Sequence, residues 1–277
     1  MESYDFRRIS VTALIPAFGR GEFTDIPYAK EMLSFLRARG LTPDDGPWSE
    51  RAAHNYAPFF EARFKSVNQV LEERGVMQVL ELAAGLSPRG MDLAQRGVTY
   101  VEADLDESIE FKREIVTAVL GGIPANLHLC AASVVDGAGF RRCCEVFSGG
   151  PVAVTTEGLL RYLTFTEKMR LAANVHDLLS QHGGFWVTTD IHLRTWAHGH
   201  RRMVRRDQEK ESLGRDLDPN YFDDLEHAQT FFEGCGFAVD SRPLLQGIRE
   251  RVLSLPLAPA DLLSELNERR TFVLTAS

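Results

Sequence analysis

The sequence predicts an α/β fold: a mainly parallel sheet with helices on both faces. Two observations carry this. Apolar, strand-like runs occur at Val76–Leu82, Val98–Ala103, Asn126–Ala132, Pro151–Thr156, Gly184–Asp190, Phe237–Ser241 and Arg270–Ala276, with helical patterns between most of them. The stretch Val76–Glu107 also runs in a telling order: strand, acid, small-residue turn, helix opener, second strand, second set of acids. A nucleotide-binding half-domain begins in this way.

Residues 1–75 precede the first of these strands. They read as a helical segment broken by prolines, clearest at Ala29–Arg39 and Pro58–Arg74, with a loop over 40–50. This divides the chain into a helical N-terminal cap or substrate segment (1–75) and a core (76–277). Asp106–Leu120 follows the second strand. Ile109, Ile115, Val116 and Val119 share one face there, Glu107, Glu110, Lys112 and Arg113 lie elsewhere, and Gly121-Gly122 end it. Helices at Thr166–Gln181, Asp223–Cys235 and about Asp261–Glu268 separate the later strands. The polar stretch 193–220 exceeds an ordinary loop and reads as an insertion or lid.

The composition is that of a soluble globular chain, with 44% hydrophobic and 25% charged residues. A formal charge of −8 works against general binding to nucleic acid or anionic membranes. The basic run at 201–206 reads as a solvated helix face. Neither a signal peptide nor a membrane span is expected. Cys130, Cys143, Cys144 and Cys235 form no CxxC pair, so neither a disulfide nor a cysteine metal site is expected. The reading is a reduced, cytoplasmic protein.

Ligands of open parallel sheets sit beyond the carboxyl ends of the strands. The turn there is Ala83-Ala84-Gly85-Leu86-Ser87-Pro88-Arg89-Gly90. A dinucleotide pyrophosphate needs GxGxxG, which is absent. A ligand without pyrophosphate tolerates this turn, and S-adenosyl-L-methionine is one. Glu81 can orient the turn or meet the ligand's ammonium group. Glu102 and Asp104, about twenty residues beyond the turn, can accept from ribose hydroxyls. Each acid taken singly reads more readily as a cap or strand-end charge, and it is the three together at this spacing that point to binding. A nicotinamide-dependent oxidoreductase and a non-catalytic S-adenosylmethionine-binding protein are the alternatives.

Three motifs, "ELAAGLSPRG" (81–90), "YVEADLDESIEFK" (100–112) and "TTEGLLRYL" (155–163), resemble the leucine carboxyl methyltransferase-like family, which includes bacterial polyketide-type O-methyltransferases. "SVTALIPAFGRGEFTDIPYA" (10–29) and "ARFKSVNQVL" (62–71) match more weakly. The resemblance implies a class I methyltransferase (Rossmann-like) fold of seven strands with the last antiparallel, and S-adenosyl-L-methionine as cofactor. By the same resemblance, Arg63 looks like the arginine that pairs with the cofactor carboxylate, and Gly85 like the turn glycine beside its methionine part. Asp104 looks like the ribose acid, with Glu102 second. Ser133, Val134 and Asp136 resemble the adenine-contacting segment, and Glu157 the glutamate at the methionine end. The family turn usually carries glycine where Ala83 stands. Phosphatase-directed members carry a basic residue, typically lysine, in the N-terminal segment. No lysine precedes Lys30 here, and Arg20 is a basic residue in that segment.

Methyl transfer needs no diagnostic nucleophile. A carboxylate acceptor is already ionised at neutral pH, whereas a phenol benefits from a base. The candidates for substrate contact or base are Arg161, Tyr162 and His192, each of which also reads as ordinary packing. Asp190 ends the fifth strand and could order the following loop. His176, mid-helix, reads as structural, and His198 with His200 as solvated loop residues. Trp196, Tyr221 and Phe222 read either as an aromatic pocket or as lid packing. The expected partner is a small-molecule substrate, and the sequence does not speak to oligomeric state.

Overall fold

A computed structural model describes residues 11–42, 49–194 and 217–277. The seven strands are β1 (Gln78–Leu82), β2 (Thr99–Asp104), β3 (Leu127–Ala131), β4 (Val152–Thr156), β5 (Gly184–Thr188), β6 (Phe237–Pro243) and β7 (Arg270–Ala276). They form one sheet in the order β3-β2-β1-β4-β5-β7-β6. β1 to β5 pair in parallel, and β7 is antiparallel to both β5 and β6. Strand order reverses between β1 and β4, so the crevice for a ligand opens above their carboxyl ends.

Alternate side chains of each strand enter opposite layers. Leu80 and Leu82 of β1 join one apolar cluster with Val101, Val154 and Trp186, while Val79 joins the other with Tyr100, Ala153 and Val187. Both faces are covered, which is why these strands read as continuous apolar runs.

Helices α1 (Val11–Phe23), α2 (Ala29–Ala38) and α3 (Glu50–Arg74) form the N-terminal segment. α3 begins two turns earlier than Pro58. Ser49 caps it, accepting from the Ala52 N–H at 3.4 Å, and Pro58 sits buried inside. Proline inside a helix costs ~3 kcal/mol, which burial of this face offsets. α1 crosses α3 closely because Gly19 has no side chain: a Cβ there would lie 3.0 Å from Phe60 and 3.1 Å from the Ala53 carbonyl. Leu14, Phe18, Leu33 and Leu36 pack with Val67, Val70 and Phe111 in the cluster that also holds β1.

The remaining helices are α4 (Arg89–Gln95), α5 (Asp106–Leu120), α6 (Gly137–Cys144), α7 (Phe165–His182), α8 (Leu225–Gly234) and α9 (Ala260–Glu268). α7 opens with a capping box between Thr164 and Glu167. Lys112 of α5, off the apolar face of that helix, is 1% exposed, because its ammonium turns inward to Glu102 at 2.8 Å.

The structure corrects the expectation for the cysteines. Cys130 on β3 and Cys143 on α6 form a disulfide, with Cα atoms 5.7 Å apart, while Cys144 and Cys235 are free. The pair lies 13 residues apart. Only the return of α6 over β3 brings Cys143 within bridging distance, so no local spacing announced it. Among the described residues no helix is long and apolar enough to cross a membrane, and no cluster of three or more histidine, cysteine or acidic residues could hold a metal. His198, His200, Trp196 and the basic run at 201–206 lie outside the described residues.

Candidate active site

The turn after β1 is built from strained backbone tied down by acids. Gly85 has φ +47°, which glycine adopts freely. Ala83 has φ +53°, where a β-carbon costs ~1–2 kcal/mol. This is the position where the family turn usually has glycine. The Gly85 N–H donates to Asp104 Oδ2 at 2.7 Å, and Leu105 N–H donates to Asp104 Oδ1 at 2.8 Å. Burial raises the Asp104 pKa, and those two N–H groups pull the other way. Leu105, beside it, is 62% exposed, an apolar side chain at the lip of the crevice.

Glu102, one pleat earlier, is on the inside. It is fully buried beneath α4, where a Cβ on Gly90 would lie 2.2 Å from its Oε1. Burial pushes its carboxyl up to about 7, against the pull of Lys112. Lys112 also donates to the Ser87 carbonyl and, at 3.3 Å, to that of Gly85. Of the two acids at this strand end, Asp104 borders the crevice and Glu102 braces the turn from below.

Behind the turn lies a buried network of arginines and carboxylates. Arg89, completely buried, donates to Glu81 through Nη1, to Glu157 Oε2 at 3.0 Å and to Asn68 at 2.7 Å, with its guanidinium 4.4 Å above the Phe64 ring. Tyr100 donates to the other oxygen of Glu81 at 2.9 Å. Arg20 of α1 reaches Glu157 Oε1 at 3.5 Å and the Leu86 carbonyl at 2.9 Å. Burial disfavours the charge on Arg89, but Glu81, Tyr100 and Glu157 more than offset it, so its pKa lies above the ordinary arginine value. Burial pulls Arg20 down to about 10, still cationic at neutral pH. Burial also opposes the charge on Glu157, and Arg63, Arg89 and Arg20 together hold its carboxyl below the usual range. Glu81 therefore has both oxygens engaged inside the protein.

Arg63 is 7% exposed. Its Nε donates to Thr189 Oγ1 at 3.2 Å, its guanidinium stands 5.1 Å over Phe59, and its Nη2 has no hydrogen-bond partner among the described residues. Gly158, at φ +88°, passes beside it, where a Cβ would come within 3.7 Å of Nη2. A buried, half-satisfied guanidinium beside Glu157 is a place for a carboxylate.

Two further groups flank this centre. After β3, Ser133, Val134 and Asp136 form a partly exposed loop beside Asp104, whose carbonyl accepts from Ala132 N–H at 2.8 Å. Asp136 caps α6, accepting from Ala138 and Gly139 N–H at 3.2 and 3.0 Å. Beyond β4 and β5, Asp190 accepts from the Leu159 and Leu160 N–H groups. His192 Nδ1 lies 3.0 Å from the Asp190 carbonyl and 3.5 Å from its Oδ1, and its ring stacks on Tyr221 with centroids 5.5 Å apart. Arg161 donates to the Tyr221 hydroxyl at 2.8 Å and lies 5.6 Å from the centre of the Tyr162 ring. Burial, then Arg269 and Arg161, hold the His192 pKa well below 6.5, so the ring is neutral. His176 instead packs edge-on against Phe237, and Phe222 belongs to the apolar core.

Sequence reasoning gave no role to Arg89, Lys112, Thr189 or Arg269. Arg89 carried a signal, since it stands inside the turn motif between Pro88 and Gly90. Thr189 and Arg269 carried none, because each reaches the site from a distant part of the chain.

No curated protein matches the sequence. Among solved structures, a protein from Thermobifida fusca assigned as a methyltransferase superposes with a TM-score of 0.59 at 18% identity, covering 99% of this chain and 96% of that one. Magnesium protoporphyrin IX methyltransferase from Synechocystis PCC 6803, solved with bound S-adenosylhomocysteine, gives 0.53 at 12% identity over 88% and 95% of the two chains. An O-methyltransferase family protein from Burkholderia thailandensis gives 0.49 at 14% identity, and this chain spans 59% of its length. For the first two, at such identities, the likeness is one of fold, the class I methyltransferase sheet. By sequence, residues 28–176 match the leucine carboxyl methyltransferase family model. That match holds Arg63, the Gly85 turn, Asp104 and Glu157 and spans more than half of the 277 residues, so the chain belongs to the leucine carboxyl methyltransferase family and is an S-adenosylmethionine-dependent methyltransferase.

Proposed function

We propose that this protein methylates an oxygen of a small molecule, a carboxylate or a phenol of the secondary-metabolite, polyketide type. Family membership sets aside the oxidoreductase alternative. The observation that supports the cofactor end most strongly is Arg63, whose Nη2 has no hydrogen-bond partner among the described residues although the side chain is buried. It would take the cofactor carboxylate, with Thr189 holding Nε in place. Gly85 admits the methionine part past a turn without a side chain. Asp104 retains acceptor capacity for ribose hydroxyls, since a carboxylate offers about four lone-pair sites. Ser133, Val134 and Asp136 would border the adenine, and the ionised Glu157 would face the ammonium group.

S-adenosylmethionine supplies a methyl carbon already activated by a sulfonium. The protein's part is to position the acceptor and exclude water. Holding the reacting atoms in line can contribute ~7–11 kcal/mol of barrier reduction. Arg161, Tyr162 and His192 lie on the acceptor side, beyond β4 and β5. The cationic surroundings of Arg63, Arg161 and Arg269 favour an acceptor that carries or develops negative charge.

Calorimetry with S-adenosylhomocysteine tests this, paired with a labelled-methyl screen over carboxylates and phenols. Micromolar binding that weakens at least tenfold in Arg63→Ala is expected. Absence of binding at high micromolar concentration would defeat the assignment.

A further inference from the structure

We infer that His192, oriented by Asp190, is the general base of the transfer, and that the acceptor is therefore a phenol or other hydroxyl and not a carboxylate. This rests on the methyltransferase reading above and deepens it.

Both atoms that face His192 Nδ1 are acceptors: the Asp190 carbonyl at 3.0 Å and the Asp190 carboxylate oxygen at 3.5 Å. Nδ1–H donates to the carbonyl, while the carboxylate oxygen stands at ion-pair range without a hydrogen-bond partner among the described residues, so the proton sits on Nδ1 and Nε2 presents a lone pair. Nε2 has no hydrogen-bond partner among the described residues, and the side chain is 11% exposed. Tyr221 stacks on the ring, interplanar angle 28°, and Arg161 fixes Tyr221 through its hydroxyl. Asp190 is itself clamped by the Leu159 and Leu160 N–H groups, in the segment that carries Glu157. An imidazole held in one tautomer by the Asp190 carbonyl, within the field of Arg63, can accept a proton, a capacity that a carboxylate acceptor would leave unused.

The charged and titratable groups around the ring are Asp190, Arg161 from the turn after β4, Arg63 from α3, Arg269 before β7, and Tyr221. The three cations keep the imidazole unprotonated, which weakens it as a base, and they offset this by stabilising the oxyanion that develops on the acceptor as its proton leaves. The acceptor O–H bond breaks, its proton passes to His192 Nε2, and its oxygen forms the new O–CH3 bond. The electron pair of the sulfonium C–S bond leaves with sulfur, and His192 returns its proton to water.

Two measurements test this. In protein labelled with ¹⁵N histidine and saturated with S-adenosylhomocysteine, His192 is expected to show the neutral Nδ1–H form from pH 6 to 8. An Nε2–H tautomer, or a ring protonated at pH 7, overturns the inference. In methyl transfer from S-adenosylmethionine to the paired probes 2-naphthol and 2-naphthoate, the naphthol is expected to be the better acceptor. His192→Gln is expected to lower its kcat/KM at least 100-fold at pH 7 and to make the remaining rate rise about tenfold per pH unit. Faster transfer to the naphthoate, transfer to neither, or a loss under threefold in His192→Gln overturns it. Calorimetric binding of S-adenosylhomocysteine reports separately on the cofactor reading, which survives if only the base assignment fails.

Discussion

The Gly85 N–H donates to the Asp104 carboxylate at 2.7 Å across 19 residues, so one side chain ends β2 and holds the turn that follows β1. Asp104 braces the turn, and in the proposed reading it also accepts from ribose. Asp104→Asn keeps the shape and removes the charge. Hydrogen bonds to a charged group contribute ~1.5–3 kcal/mol. We expect the affinity for S-adenosylhomocysteine to fall ten- to a hundredfold by calorimetry and the midpoint of thermal unfolding to fall as well.

Arg89 joins Glu81 to Glu157 in a site where it is wholly buried. Arg89→Met leaves two carboxylates without their shared cation. Breaking a buried pair in this way costs ~3–5 kcal/mol. Urea denaturation should show a loss of that order, and Arg89→Lys should not restore it, because an ammonium cannot span Asn68, Glu81 and Glu157 together. Stability of the methionine variant within 1 kcal/mol of the parent, on the scale of ~3–5 kcal/mol, would contradict this account of the network.

Ala83 occupies left-handed backbone at φ +53°. Glycine there removes a penalty of ~1–2 kcal/mol but adds ~0.5–1 kcal/mol of unfolded-state entropy. Ala83→Gly should therefore raise stability slightly, by up to ~1.5 kcal/mol, whereas Ala83→Val should lower it. Paired denaturant titrations decide the sign.

The low pKa of His192 makes stability depend on pH. The folded protein holds this ring neutral while the unfolded chain protonates it near 6.5. As pH falls below that value the unfolded state binds more protons, so stability drops by ~1.4 kcal/mol per unit until the folded pKa is reached. His192→Gln should flatten this part of the stability–pH curve, measured between pH 5 and 7. An unchanged slope would show that the ring is protonated or exposed in the native state.

The Cys130–Cys143 bridge is checked by alkylation under denaturing conditions. Two cysteines, Cys144 and Cys235, should react without reductant and four with it. Closing a loop of about this length stabilises by ~3 kcal/mol in the chain-entropy account, so reduction should lower the unfolding midpoint.

The fold was legible because it rests on local patterns. β7 was read at its observed ends, and so was α5, whose apolar spacing and terminal Gly121 mark it. α1 and α6 were not singled out, and α4 was marked only by its opener. α1 carries Pro16, and its helix is stabilised by packing against α3 through Gly19, which local pattern does not express. The residues proposed for the cofactor were likewise named from motifs, while their division of labour was not. Glu102 and Asp104 look alike in sequence, yet successive side chains of a strand point to opposite faces and the two acids are one pleat apart on the same face. Their difference is depth: the strand end lifts Asp104 to the crevice while α4 and Lys112 close over Glu102.

The sequence by itself determined the alternation of strands and helices, the turn after β1 and the family. Periodicity, glycine placement and motif spacing are written along the chain. Only the tertiary structure decided that Arg20, Arg63 and Arg89 converge on Glu157, that Lys112 points inward, that Cys130 meets Cys143, and that His192 lies between Asp190 and Tyr221. Charges and thiols far apart in sequence acquire their chemistry from the distances that packing imposes.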